Sequence, residues 1–209
     1  MSRLPSIVRQ HVAALRGLLL FTVICGIIYP VVIFGIGQAA FHHQVNGSLV
    51  SYHGRVVGSS LLCQEFLGAT GSPLPQYFQP RPSNATSGDK NDFGCNPLFS
   101  AASNLGPNNP ELVQQIRTRQ KQYAAFNHVP VSAIPPDAVT ASASGLDPYI
   151  SPANAALQVN RVAAERHISP AQVRALVQAN SRGRSLGFLG EPRVDVLTLN
   201  IALDEKYPA

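Results

Sequence analysis

The chain has 209 residues, a formal net charge of +5, 45% hydrophobic residues and only 13% charged residues, about half the charged fraction of an ordinary soluble domain. Three of its positive charges come from arginines before residue 17, beside an apolar run. This arrangement argues against a nucleic-acid-binding surface, and the length allows one membrane anchor and one domain.

The N-terminal region predicts a membrane-spanning helix. Gly17 to Phe41 is a run of 25 residues without a charge, about 37 Å of helix against a hydrocarbon core of ~30 Å. A cleaved signal peptide is the alternative, but its apolar core is usually ~7–15 residues and would not hold Pro30, which predicts a kink. We therefore expect a tail (1–16), a retained transmembrane helix (17–41) and one domain (42–209).

The charges around this run predict its orientation. Arg3, Arg9 and Arg16 precede it, Arg55 follows, and no acidic residue occurs before Glu65. Basic residues concentrate on the cytoplasmic side of a span. We expect a cytoplasmic tail and an extracytoplasmic, periplasmic domain.

The first half of the domain predicts little regular structure. Residues 42–54 are typical of a linker, and residues 55–66 predict a strand or two short ones. Residues 67–109 hold six prolines, which predicts a functional loop or a partly disordered segment. The linker's three histidines lack a neighbouring cysteine or carboxylate, so no metal site is predicted. Cys63 and Cys95 either pair or remain thiols, and the sequence leaves both open.

The second half predicts helices and a final strand. Asn109-Pro110, Ser151-Pro152 and Ser169-Pro170 each place a capping side chain before a proline, which suits the first helical position. The second and third helices are expected to end near His167 and Asn180. Leucine and isoleucine side chains at alternating positions predict a strand over residues 193–203, with Asn200 on its solvent-exposed face. The expected fold class is α+β, with a small sheet and about three helices in the domain.

Motifs for catalysis are missing from the sequence. There is no Gly-x-x-x-x-Gly-Lys-Ser/Thr loop, Gly-x-Ser-x-Gly elbow, His-Glu-x-x-His or Cys-x-x-Cys pattern, so no catalytic residue is predicted. Two polar positions are unusual: Arg81 stands between two prolines, and Asp147 precedes a capped helix. They either pair with each other or face another subunit or a cation path.

Seven ordered segments resemble a known family. They are Asn46-Gly-Ser-Leu49; Gly58-Ser-Ser-Leu-Leu-Cys-Gln64; Tyr77-Phe78 with Arg81-Pro82-Ser83; Ser103-Asn-Leu-Gly-Pro-Asn-Asn-Pro110; Val139-Thr-Ala-Ser-Ala-Ser-Gly-Leu-Asp147 with Ile150-Ser-Pro152; Gln158-Val-Asn-Arg161-Val162-Ala163; and Leu189-Gly-Glu-Pro-Arg-Val194 into Leu199-Asn200. Over nearly the whole chain, this pattern resembles the KdpC family, which belongs to the Kdp-type, ATP-driven potassium pumps of bacteria.

The resemblance implies a noncatalytic subunit in the bacterial inner membrane, needed for assembly and stability of a high-affinity potassium uptake complex. Its implied partners are a channel-like potassium-binding subunit, a P-type ATPase subunit and a small membrane peptide. The family is described as a catalytic chaperone that raises the ATP affinity of the ATPase subunit. A tethered extracytoplasmic ligand-binding module is the alternative function. Five residues in these segments are candidates for partner contact or an ion path: Tyr77, Arg81, Asn104, Asp147 and Arg161.

Three departures from the family pattern stand out. Ala101-Ala102 replaces two glycines, Cys63 replaces a common glycine, and Asn84 replaces a common alanine. The lost glycines count against a role in which the backbone of this loop closely approaches a phosphate.

Overall fold

The computed structural model describes residues 5–208; Met1 to Leu4 of the predicted tail, including Arg3, and Ala209 lie outside them. The chain divides after Ser48 into two compact units.

The N-terminal unit is helical. Helix α1 (Ser6–Val23), a π-helical turn (Ile24–Ile28) and helix α2 (Tyr29–Ala40) form one run of 35 residues, followed by the short α3 (His42–Val45). Its most apolar 18-residue stretch has a mean hydropathy of 2.6, and the run is long and apolar enough to cross a membrane. It begins before the charge-free segment because no glycine or proline interrupts residues 6–16.

The irregularity expected at Pro30 takes the form of the π-helical turn. A proline lacks the N–H that would bond the carbonyl four residues earlier, and its ring crowds that carbonyl, here that of Gly26. The wider π turn contains Gly26 and ends two residues before the proline.

The domain opens with a hairpin of β1 (Leu49–Tyr52) and β2 (Arg55–Ser59). His53 and Gly54 both have positive φ, as a two-residue hairpin turn requires. The predicted linker over 42–54 is therefore wrong in part, because it contains α3 and β1. The strand predicted over 55–66 ends at Ser59, where a turn begins.

All three predicted helix starts are confirmed. Helices α4 (Pro110–Asn127), α5 (Pro152–Glu165) and α6 (Pro170–Ala179) begin after Asn109, Ser151 and Ser169. Each capping side chain accepts a hydrogen bond from a backbone N–H of the first turn, at 2.8, 3.0 and 3.3 Å respectively.

The strand predicted over 193–203 is confirmed only for its first three residues and is wrong for the rest. Only β5 (Arg193–Asp195) is extended, and helix α7 (Val196–Lys206) follows. Asp195 starts the helix by accepting a hydrogen bond from Thr198 N at 2.9 Å. The alternating apolar residues also satisfy a helical spacing, which buries Val196, Leu199 and Leu203 on one face. Asn200, expected on a wet strand face, is buried in this helix.

A three-stranded antiparallel sheet, in the order β3 (Tyr149–Ile150), β5, β4 (Ser181–Arg182), packs with the helices. Most of the buried apolar core comes from α5, α6, α7 and this sheet. The irregular stretch over residues 60–109 contributes Phe78 to it. The α+β class is confirmed, with four α-helices in the described domain, residues 49–208, where about three were expected.

Candidate partner-binding site

The segment 75–79 is held by side chains of two helices. Each of its five successive carbonyls accepts a hydrogen bond from a side chain of α5, α7 or the residue after α5: Pro75 and Tyr77 from Arg161, Gln76 from Arg166, Phe78 from Asn200, and Gln79 from Gln158. A segment without regular structure is fixed in this way, because its backbone acceptors are satisfied without a neighbouring strand.

Two amide side chains also bind the backbone N–H groups of this segment. Asn200 accepts from Phe78 N and donates to Phe78 O, both at 2.9 Å. Gln158 accepts from Gln79 N at 2.8 Å and donates to Gln79 O at 3.1 Å. Each amide thus imitates the paired bonds of a strand neighbour.

Arg161 is buried at the centre of these contacts. Its Nε donates to Asn127 at 2.9 Å, its Nη1 to the carbonyls of Pro75 and Tyr77, and its Nη2 to Gln158 at 2.8 Å. Its guanidinium also lies over the Phe126 ring. Burial lowers the pKa of Arg161 to about 10, so it remains charged at neutral pH. All three of its nitrogens bond the chain itself.

Tyr77 belongs to a second arginine cluster. Its hydroxyl donates to Asp204 at 3.1 Å, and Arg166 bonds the other oxygen of that carboxylate at 2.6 Å while lying over the Tyr77 ring. Burial, followed by the charge of Asp204, raises the pKa of Tyr77. The hydroxyl therefore stays protonated and continues to donate at neutral pH.

Arg81 and Asp147 form an ion pair at 2.9 Å. Their side chains are 24% and 29% exposed, and Asp147 also accepts from Tyr149 N. The Nε of Arg81 is buried, and it has no hydrogen-bond acceptor in the described part of the chain. The Nη2 of Arg81 also donates to the carbonyl of Thr140 at 3.4 Å, so Arg81 is held by two contacts of its own chain in the wall of a cleft.

This cleft has a volume of about 760 Å³ and lies between residues 79–83 and helix α4. Its polar wall includes Arg81, Arg119 and Glu65, and Phe93 and Phe126 contribute apolar surface. Burial, with a smaller effect of Asp92, raises the pKa of Glu65. Arg81 is paired with Asp147, and Arg119 and Glu65 carry opposite charges, so the wall combines polar groups of both signs with apolar surface.

Asn104 lies apart from this cluster. It is exposed with a φ of 53°, and within residues 5–208 no hydrogen bond or ion pair joins it to the other four predicted residues. The structure thus brings Tyr77 and Arg161 together and pairs Arg81 with Asp147.

A disulfide between Cys63 and Cys95 ties down the irregular segment beside the site. The Gly145 carbonyl, next to this disulfide, accepts a hydrogen bond from the Ser83 hydroxyl at 2.6 Å and lies 3.2 Å from the Cys63 sulfur. Gly145 has a φ of +72°, and a Cβ there would lie 2.7 Å from the carbonyl oxygen of Ala101. Only glycine fits this position.

The sequence reasoning missed Gln158, Asn200 and Arg166 as site residues. A signal was present for the first of these, since Asn154, Gln158 and Arg161 follow a helical i, i+4, i+7 spacing and form a polar stripe on a buried face. Asn200 was hidden by the incorrect strand.

Among the described residues, no group of three or more His, Cys, Asp or Glu side chains is placed to hold a metal ion.

Comparisons with known proteins cover nearly the whole chain. A sequence model of the KdpC family, described as K+-transporting ATPase, c chain, matches residues 11–205. A "Potassium-transporting ATPase KdpC subunit" of Mycobacterium tuberculosis (strain ATCC 25618 / H37Rv) is 47% identical over 94% of this chain and 98% of its own. Proteins of the same name are 47% identical in Geobacter sulfurreducens, over 93% and 97% of the two chains, and 45% identical in Beijerinckia indica, over 95% of each. The chain therefore belongs to the KdpC family of K+-transporting ATPase subunits.

Proposed function

We propose that this chain is the noncatalytic accessory subunit of a high-affinity, ATP-driven potassium uptake pump in a bacterial inner membrane. The observation that carries the proposal is the family match over residues 11–205. Its partners are a channel-like potassium-binding subunit, a P-type ATPase subunit and a small membrane peptide. The chain is needed for the assembly and stability of this complex.

The tail (1–16) is cytoplasmic in this proposal, the span crosses the membrane within Ser6–Ala40, and the domain is periplasmic. The excess of arginine before the charge-free run supports this orientation. The Cys63–Cys95 disulfide supports it independently, because structural disulfides persist in oxidising compartments such as the periplasm.

Within the complex, the domain caps the external mouth of the channel-like subunit. Arg81 and Asp147 are the proposed contact residues, since their ion pair is partly exposed and Arg81 lines the cleft. Tyr77 and Arg161 act behind them as positioning residues, because their polar groups are engaged inside the domain. Asn104 is a separate, exposed contact candidate.

The chain raises the ATP affinity of the ATPase subunit through the assembled complex, without binding a phosphate itself. Arg161 and Arg166, the two buried arginines, donate to acceptors of their own chain. The sequence also lacks a glycine-rich phosphate loop. The effect on ATP is therefore conformational, and potassium is the cargo of the complex.

ATPase measurements on the purified complex test this role. We expect ATP saturation at lower concentration with this chain present than with the ATPase and channel-like subunits alone, and no hydrolysis by the chain alone. Equal ATP dependence in both preparations would contradict the proposal. A C-terminal alkaline phosphatase fusion tests orientation: it should be active, whereas a fluorescent-protein fusion that matures only in the cytoplasm should stay dark.

A tethered ligand-binding module is the second candidate. The cleft favours it, because about 760 Å³ lies within the ~300–1,000 Å³ range of small-molecule sites. This alternative predicts a small-molecule ligand for the isolated full-length chain, independent of any partner subunit.

A further inference from the structure

The hairpin between β4 and β5 carries an exposed apolar tip, defined here as residues 185–189. Leu186, Phe188 and Leu189 are 83%, 69% and 49% exposed. Leu186 and Gly187 have positive φ, and Ser185 pairs with Leu189 across a tight turn, so the backbone holds these side chains outward. None of the three belongs to the apolar core of the described domain.

The base of the same hairpin is basic. Arg182 lies directly opposite Arg193 in the β4–β5 pairing, an arrangement in which like charges repel. Arg184 is closer to the tip and bonds Glu191, the acidic residue of the hairpin loop, at 2.9 Å. Three arginines against Glu191 and Asp195 leave the hairpin with a formal net charge of +1 behind an apolar tip.

We propose that this hairpin binds the surface of an anionic lipid bilayer, with its apolar tip among the acyl chains and its arginines at the lipid phosphates. The apolar side chains lie at the tip of the hairpin and the arginines lie behind them. This order matches the layers of such a surface, where acyl chains lie beneath charged headgroups. Facing phosphates also relieve the repulsion between Arg182 and Arg193.

Size favours a lipid surface over a protein partner for this tip. A stable protein–protein interface buries ~1,200–2,000 Å², which three side chains do not supply. Insertion into a bilayer needs much less intrinsic affinity here, because residues 41–48 are all that joins the domain to the candidate span. A short tether keeps the local lipid concentration high.

The absence of tryptophan from the sequence gives a direct test. Leu186→Trp places a single fluorophore at the tip, and Leu98→Trp is a matched control at another exposed loop leucine, 85% exposed. The full-length variants are reconstituted in phosphatidylglycerol vesicles with or without brominated acyl chains. We expect the tip fluorophore to be quenched at least about twofold more strongly than the control.

Charge is tested in the same vesicles. Adding Arg182→Gln and Arg184→Gln to Leu186→Trp should weaken the quenching in phosphatidylglycerol vesicles at low salt, and it should have no effect in phosphatidylcholine vesicles. Equal quenching of the two fluorophores would overturn the proposal. So would a tip that becomes protected only when the partner subunits are added and that bromine still does not quench, since this identifies a protein contact.

The inference rests on one part of the proposed function, the anchoring of the span in a bilayer. Alkaline extraction of the vesicles tests that part separately. Release of the chain at high pH would overturn both the anchoring and the hairpin proposal. A retained chain with an unquenched tip would overturn the hairpin proposal alone.

Discussion

The two parts of the domain are held together by different forces. The C-terminal part, residues 149–207, buries valine, leucine and isoleucine side chains between three helices and a small sheet. The irregular stretch over residues 60–109 places Phe78 in that core and Phe66 against it, and it is further fixed by side-chain hydrogen bonds, by backbone hydrogen bonds to the segment 144–146 and by one disulfide. A long segment without helix or sheet is ordered when buried polar groups of a helical scaffold satisfy its backbone.

The largest expected effect comes from removing Arg161, the central arginine of the hydrogen bonds that hold the segment 75–79. Arg161→Met leaves the carbonyls of Pro75 and Tyr77 and the amide oxygen of Asn127 without their donor, and it removes one of the two donors to the Gln158 amide oxygen. We expect the free energy of unfolding to fall by roughly 3–5 kcal/mol, because each unsatisfied buried acceptor is costly. Denaturant titration of the full-length chain measures it.

Arg184→Met is the matched control for this substitution. Arg184 is 46% exposed and pairs with an even more exposed glutamate, so we expect a change within about 0.5 kcal/mol. Equal effects of the two substitutions would show that the buried network does not hold the irregular stretch.

The disulfide is the second largest contribution. Cys63→Ala with Cys95→Ala removes a link between residues 32 apart, and we expect a loss of about 2–4 kcal/mol. Proteolysis should then cut first within residues 60–109. Cys25→Ala, in the candidate span, is the control and should not change the protease pattern; an unchanged pattern in the double variant would contradict the account.

Asn200→Leu separates hydrogen bonding from packing, since the side chain keeps its approximate size. The N–H and carbonyl of Phe78 both lose their partner, and we expect destabilisation of about 2–3 kcal/mol. Asn180→Leu is the comparison, because the Asn180 side chain makes one bond, to the carbonyl of Leu176, at a helix end. We expect Asn180→Leu to lower the free energy of unfolding by about 1 kcal/mol or less. A larger loss than that of Asn200→Leu would count against the role of Asn200 in holding the Phe78 backbone.

Asp147→Asn tests the exposed ion pair. Because both partners are more than a fifth exposed, the expected loss of stability is about 1 kcal/mol or less. If the pair contacts a partner subunit as proposed, the same variant reduces recovery of the complex while the chain stays folded. Normal recovery would remove Arg81 and Asp147 from the contact surface.

The smallest expected effect is a local response to acid. Hydrogen bonds from Ser87 N and the Asn96 amide lower the pKa of Asp92 from 3.8 to about 2. A carboxyl with a lowered folded-state pKa contributes stability above its unfolded pKa and loses it as the pH falls towards the folded value. The protection of the amides of residues 86–96, measured as their exchange rate relative to the unfolded chain at the same pH, should fall between about pH 4 and pH 2. Asp92→Asn should remove most of the pH dependence of this protection. Unchanged pH dependence in the variant would contradict this role.

The elements that could be predicted were those with local signals. Caps at Asn109, Ser151 and Ser169 depend on the capping residue and the proline after it, so α4, α5 and α6 were found. Helix α7 was missed because its alternating leucines fit both a strand and a short helix, and its N-cap, Asp195, carries no proline signal.

The site was predicted less completely because its geometry depends on long-range contacts. Arg81 and Asp147 were suggested as partners from their unusual settings, and they do pair. The bonds from Gln158 and Asn200 cross 79 and 122 residues of sequence. No local pattern specifies which backbone carbonyl such a side chain reaches.

Membership of a pump complex is tested most directly by purification. The C-terminus is tagged, cells are grown in potassium-poor medium, the membranes are solubilised gently, and the proteins that co-purify are identified. We expect a P-type ATPase subunit and a multi-span channel-like subunit in fixed ratio with this chain. Recovery of the chain alone, from membranes that contain both of those subunits, would contradict it.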